Sequence, residues 1–408
     1  RKSEAVNAFQ KAVTLSPQDA EAHNNLGATL NEQAKLVEAE SSLRQAIAIQ
    51  PDFAEAHNNL GNTLIKQGKL DECERSYTKA IALKANFSEA YNNLGMAVKE
   101  QGRFDKAEEY LRRAISFKAD YSEAHNNLGN TFLESGKLED AEGCFREVIA
   151  LKADFDGAHN RLLRSLYLAN KEAAFFTELD YLIEQDEANS TIGSLACRSA
   201  LKYGVERPNL FCKDPLGHVL HTDLNARYEF QEIFVETARE ILNQNKISNR
   251  GQPLLKNGYQ TTGNLFQIDD SLTKEIQEVI RLEIDRYQME FKNSEEGLIK
   301  KWPAEYSLHA WLISMKSGGE LRPHFHDRGW LSGSIYINVP SKSEADSGNL
   351  VVSMGEESDV KDVSENPTTV INVNTGDLVL FPASLTHSTI PFEAEEERIV
   401  LAFDVIPK

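Results

Sequence analysis

The apolar positions of the first 170 residues repeat every 34 residues. His23-Asn24-Asn25-Leu26-Gly27 returns from His57, from Tyr91 (in place of His) and from His125, with a degenerate copy at His159. Each Leu is followed by a small residue (Ala39, Cys73, Ala107, Ala141), then a bulky one (Leu43, Tyr77, Leu111, Phe145), then another apolar one (Ala46, Ala80, Ala114, Val148). These steps of three and four residues predict one buried stripe per helix. Gly68, Gly102 and Gly136 separate the two helices of each unit, and Ala5, Phe9, Ala12 and Pro17 fit the second helix of a truncated unit. The period is lost after Leu168, while helical spacing continues through Glu172–Tyr203 with a polar break at Asp186. Further helices are expected at 226–245 and Leu272–Phe291, with Gly258–Phe266 reading as a polar loop. From Tyr306 the pattern changes to strands: Leu308–Ser314, Arg322–His326, Ser332–Val339, Asn349–Ser353, Thr368–Val373, Leu378–Phe381 and Arg398–Val405.

A helix-turn-helix unit with this period and these positions is the tetratricopeptide repeat, whose stacked units share a continuous core. Asn is a mediocre interior helix former, so the paired asparagines call for a reason. Stacking would align Asn25, Asn59, Asn93 and Asn127 along the inner groove. Amides there can both donate to and accept from an extended peptide backbone; bracing of helix packing is the competing reading. The array resembles the repeats of O-linked N-acetylglucosamine transferase, which carry such a ladder. His23, His57, His125 and His159 share a position with Tyr91, which points to a structural role rather than metal binding. The expected fold is α+β and multidomain. An α-solenoid covers 1–168 and capping or linker helices cover 169–205. A double-stranded β-helix (jelly roll) with flanking helices covers 206–408.

A net charge of −19 argues against nucleic acid and anionic membranes as partners, and no apolar run is long enough to span a bilayer. Cys73, Cys144, Cys197 and Cys212 show no metal or disulfide spacing, which fits a reducing, cytoplasmic setting. Arg1–Ala5 already follow a helical pattern, so the chain is expected to begin within a repeat, and a removed signal sequence stays compatible with this.

His324 and His326 lie two apart, so on a strand both imidazoles leave one face. With His387 downstream and Arg398 opening the last strand, they suggest a non-haem iron site with a carboxylate co-substrate. His218 and His221 lie in an irregular segment and read as surface residues. His309, Trp311 and Trp330 at the substrate mouth, or in the core, are softer candidates, as are Gln260, Thr261 and Asn264.

The last hundred residues resemble the 2-oxoglutarate/Fe(II) oxygenase superfamily, in particular a family with an HxH…LSG…Y signature. His324-Phe325-His326, the Gly376–Pro382 strand, His387 and Arg398 carry the match. The resemblance implies Fe(II), 2-oxoglutarate and O2 as cofactors and co-substrates, with Arg398 on the far carboxylate of 2-oxoglutarate. The strand Ile335–Asn338 resembles that of prolyl hydroxylases, which brings Tyr336 to the same carboxylate. The superfamily's usual triad is HxD…H, and His326 stands where Asp is expected. Three readings stay open. His324, His326 and His387 form a three-histidine site; or Asp327 replaces the carboxylate through a bulge; or His326 contacts substrate and only two histidines bind metal.

The expected function is therefore a hydroxylase acting on a peptide or protein held by the repeat groove. Two alternatives remain: a peptide-binding adaptor with a degenerate barrel, and a three-histidine dioxygenase that does not use 2-oxoglutarate. The array could equally serve another partner or form a homodimer.

Overall fold

Helix pairs follow directly from the repeat pattern. The computed structural model describes residues 2–408 apart from 244–248, 251–253, 262, 269, 343, 357–358 and 360–362. It divides into two units, Arg1–Lys171 and Glu172–Lys408. In the first, helices run from Lys2–Leu15 and Ala20–Glu32 through Leu36–Ile49, Ala54–Lys66, Leu70–Leu83, Ser88–Glu100, Phe104–Phe117, Ser122–Glu134 and Leu138–Leu151 to Ala158–Leu168.

The spacing of small and bulky residues has a direct steric cause. Leu43, Tyr77, Leu111 and Phe145 lie against Gly27, Gly61, Gly95 and Gly129, where an added Cβ would sit 2.4–2.7 Å from the bulky side chain. Only glycine lets the two helices approach that closely, which explains the Leu-Gly pair in every unit. The intervening turns place Gly68, Gly102 and Gly136 at positive φ; the first unit holds Ala34 there, at φ 58°. Three of the repeated histidines are tied back to the preceding turn. His23, His57 and His125 each hydrogen-bond through Nε2 to a carbonyl six residues earlier, on Pro17, Pro51 and Ala119.

The second unit begins with helices Glu172–Glu184 and Ser190–Tyr203, the latter capped by Asn189 and ended by Gly204 at φ 68°. Its strands are β1 (Leu220–Asp223), β2 (Asn249–Arg250), β3 (Leu255–Thr261), β4 (Tyr306–His324), β5 (Leu331–Asn338), β6 (Leu350–Ser353), β7 (Thr368–Ile371), β8 (Asp377–Pro382), β9 (Thr386–Phe392) and β10 (Arg398–Pro407). All pairings are antiparallel. One layer has the order β1-β8-β5-β10-β4, and the far end of β4 continues into a second layer, β4-β9-β6-β7. This is a double-stranded β-helix. Along β10 the alternation is clean. Arg398, Val400 and Ala402 line the inner cavity, while Leu401, Phe403 and Val405 join a core with Phe234, Ile280 and Tyr287 of the flanking helices.

The structure corrects several expected elements. Leu308–Ser314 and Arg322–His326 are one strand, β4, bent at Gly318 (φ 72°) and ending at His324. The polar loop expected at Gly258–Phe266 begins as strand β3, paired to β4, and closes as the short helix Leu265–Ile268. His387 lies on a strand, β9, where none was expected. The helix expected at 226–245 consists of a π-turn at Gln231–Glu236 and helix Thr237–Asn243, and its last two positions lie outside the described residues. His218 is buried, not at the surface, bridging the Asp214 carbonyl and Ser294.

Leu111 is fully buried against Gly95 of its own unit. Leu111→Ala is expected to destabilise the array by about 2–5 kcal/mol, read as a lower denaturant midpoint in helical circular dichroism.

Candidate metal centre

Strand pairing builds the centre. His324 ends β4 directly opposite His387 on β9. His326 follows in the irregular segment after β4, where same-face alternation no longer applies, yet its ring still converges on the other two. One ligand atom from each of His324, His326 and His387 lies within 4.8 Å of the others. Ring centroids are 4.3 Å apart for His324–His387, 4.9 Å for His326–His387 and 5.2 Å for His324–His326. Asp327 is exposed and is not part of this cluster, so the histidine reading holds geometrically over the Asp327 reading.

The three rings differ in their surroundings. The Nδ1 of His324 meets the Arg322 carbonyl at 2.8 Å and that of His326 meets Asp404 Oδ1 at 2.7 Å, so both are N–H donors that leave Nε2 free. The buried Nδ1 of His387 makes no well-formed hydrogen bond among the described residues, the Leu385 backbone being the group that favours its protonated form. Burial, with His326 beside it, pushes His324 down to about 4. His387 is driven well below its ordinary value by burial and by the two neighbouring imidazoles. Burial also opposes protonation of His326, but the charge and hydrogen bond of Asp404 outweigh it and raise its pKa. Two neutral rings and one carboxylate-backed ring form a donor set suited to a divalent metal.

These rings open into a cavity of about 440 Å³. Arg398, 2% exposed, lines it. Its guanidinium lies 5.1 Å from the Tyr336 ring centroid, and its Nε has no partner. Burial lowers the Arg398 pKa, and the group opposing that shift is Tyr336, not a carboxylate. Burial, partly offset by Arg398, pushes the Tyr336 hydroxyl up to about 12. A buried guanidinium without a carboxylate is costly, and an entering anion would relieve that cost.

Of the softer candidates, His309, Trp311, Gln260 and Thr261 line the cavity. Trp330 is core, its Nε1 donating to the Leu298 carbonyl, and Asn264 straps β4 through Leu308 and Ala310. Asp404 and Ser332 were not among the sequence candidates. Counting by twos along β10 from Arg398 would have put Asp404 on the inner face.

In the array, Asn59, Asn93 and Asn127 donate to the first asparagine of the preceding pair, Asn24, Asn58 and Asn92, at 2.9–3.2 Å. Asn25 accepts from its neighbour Asn24. The ladder exists: Asn59 and Asn127 each spend one amide hydrogen on bracing adjacent repeats, while Asn93 donates to Asn62 at 3.0 Å as well as to Asn58. Asn59 and Asn93 also line a cavity of about 370 Å³ with Asn31, Asn62, Lys66 and Tyr77.

The fold and cluster define a helical repeat array followed in the chain by a double-stranded β-helix that gathers three histidines. Residues 309–404 match the family described as "Putative 2OG-Fe(II) oxygenase", and tetratricopeptide models match 3–34, 30–68, 52–120 and 99–166. The chain thus carries a tetratricopeptide region followed by a domain of that oxygenase family. No curated protein matches the chain significantly. Among solved structures, Pseudomonas aeruginosa PilF is 22% identical, with 45% of this chain and 84% of that one covered and a TM-score of 0.41. YrrB, a TPR protein with an unusual peptide-binding site, is 21% identical, covering 44% and 93% with a TM-score of 0.38. A thermophilic TPR protein of Thermus thermophilus, TTC0263, is 20% identical, covering 41% and 91% with a TM-score of 0.37.

His326→Ala is expected to weaken divalent-metal binding while Asp327→Asn leaves it unchanged, as measured by calorimetric titration of the metal-free protein. The reverse order would restore the Asp327 reading.

Proposed function

We propose that the second unit is an Fe(II)- and 2-oxoglutarate-dependent oxygenase that hydroxylates a peptide or protein substrate held by the repeat groove. The observation that carries this reading is a buried Arg398, without a carboxylate partner among the described residues, sharing one cavity with three convergent imidazoles. His324, His326 and His387 would hold the iron. Bound iron and 2-oxoglutarate would supply O2 activation coupled to decarboxylation of the co-substrate to succinate.

The chain's own residues then divide the remaining work. Arg398 offers a planar fork to the far carboxylate, and Tyr336 adds a hydroxyl beside it. Leu350, Phe381 and Val400, which pack in one buried cluster with Tyr336, make that part of the cavity apolar and exclude water, which strengthens the ion pair. His309, Trp311 and Gln260 line the same cavity and are the proposed substrate contacts. In the array, the second amide hydrogens of Asn59 and Asn127, and the remaining lone pairs of the ladder's side-chain oxygens, are the proposed contacts to peptide backbone.

A dioxygenase that ignores 2-oxoglutarate would leave Arg398 and Tyr336 without a role. An adaptor with a degenerate barrel would have no reason to keep three converging imidazoles. The free cysteines Cys73, Cys144, Cys197 and Cys212 are compatible with a reducing, cytoplasmic location, which we also propose.

With Fe(II), 2-oxoglutarate and O2, the protein is expected to form succinate. Arg398→Ala should raise the KM for 2-oxoglutarate by roughly 10–100-fold, the loss of about 1.5–3 kcal/mol for a charge-assisted pair. Equal KM values would remove Arg398 from the site. Asn59→Ala with Asn93→Ala should weaken peptide capture while substrate-free succinate formation continues. A parallel loss of both would mean that the ladder only holds the fold.

A further inference from the structure

Asp404 sits deep in the barrel. It is 6% exposed, and among the described residues its ion-pair partner is His326 alone, with no lysine or arginine in reach. Strand register flanks it with Ser332 on β5 and His309 on β4. The Ser332 hydroxyl donates to Asp404 Oδ1 at 2.7 Å, and His326 Nδ1 reaches the same oxygen at 2.7 Å. Gly329 leaves room for the carboxylate, since a Cβ there would approach Asp404 Cγ to 3.4 Å and Ala383 Cβ to 2.9 Å. A buried carboxylate is unfavourable unless something needs its charge.

The hydrogen bonding decides the tautomer. An ionised carboxylate accepts and never donates, so His326 Nδ1 carries the hydrogen and Nε2 keeps its lone pair. Ser332 holds Oδ1 in place, which fixes the ring plane as well. Three imidazoles alone would bring no negative charge to a divalent ion. A carboxylate one hydrogen bond behind a ligand raises that ligand's basicity and offsets the ion's charge.

We propose that Asp404 is a positioning residue that, locked by Ser332, holds His326 as an Nε2 metal ligand and supplies the negative charge the three-histidine set lacks. This rests on the metal-centre reading above. The role lies in the geometry of β10: the strand that presents Arg398 to the co-substrate presents Asp404, on the same face, to the back of a ligand.

The test is anaerobic Co(II) titration of the metal-free full chain, followed by the visible absorption of the bound ion, together with thermal melting of the metal-free protein. Asp404→Asn is expected to weaken Co(II) binding by about 10–100-fold. Ser332→Ala should weaken it less, with altered Co(II) bands. Placing the charge directly on the metal, His326→Asp on the Asp404→Asn background, should recover affinity relative to Asp404→Asn alone. Wild-type affinity in Asp404→Asn, with or without a lower melting temperature, would make Asp404 a structural brace and overturn the proposal. Absence of recovery in the double variant would overturn the charge argument. Failure of the wild type to bind Co(II) would overturn the metal-centre reading together with it.

Discussion

Burying a guanidinium without a carboxylate beside it is the constraint around which the second unit is arranged. Arg398 opens β10, faces inward, and meets the ring of Tyr336. Desolvation there disfavours the charged form, and a barrel built only for stability would cover that position with an apolar residue or pair it with an acid. The apolar neighbours Leu350, Phe381 and Val400 do neither; they deepen the cost while leaving the cavity open. The cost makes sense if an anion completes the pair during function.

The metal side follows the same logic. Burial and neighbouring imidazoles, His326 for His324 and both other rings for His387, lower their pKa values, which keeps their lone pairs available. His326 differs because Asp404 stands behind it. The barrel thus has a carboxylate in the centre after all, placed behind a ring and not against the metal position. Alternation along a single strand, β10, connects the anion end of the cavity to this charge.

The array was legible because its packing rule is periodic. Gly27 against Leu43 and Gly61 against Tyr77 repeat the same close contact, so the period alone announces the fold. The asparagines were half legible: their alignment follows from the period, but their bonding to the preceding repeat depends on side-chain geometry. In the barrel, the motif residues stood out while the elements that carry them did not. β9 reads Thr-His-Ser-Thr-Ile-Pro-Phe, too polar and interrupted by Pro391 to resemble a core strand, yet it is paired on both sides. β3 reads as a loop because Lys256, Asn257, Gly258, Gln260 and Thr261 give it almost no apolar alternation, although Gln260 and Thr261 line the cavity. Asp404 carries no such signal, since an acid in an apolar run is equally at home on a solvent face. Only strand parity, counted from Arg398, places it inside.

The most direct measurement is a crystal structure of the full chain grown anaerobically with Mn(II) and 2-oxoglutarate, with the metal located by its anomalous scattering. The account predicts one ion bound by His324, His326 and His387, with the far carboxylate of 2-oxoglutarate on Arg398. An ion held by Asp327, or 2-oxoglutarate absent from the cavity of Arg398 at saturating concentration, would contradict it.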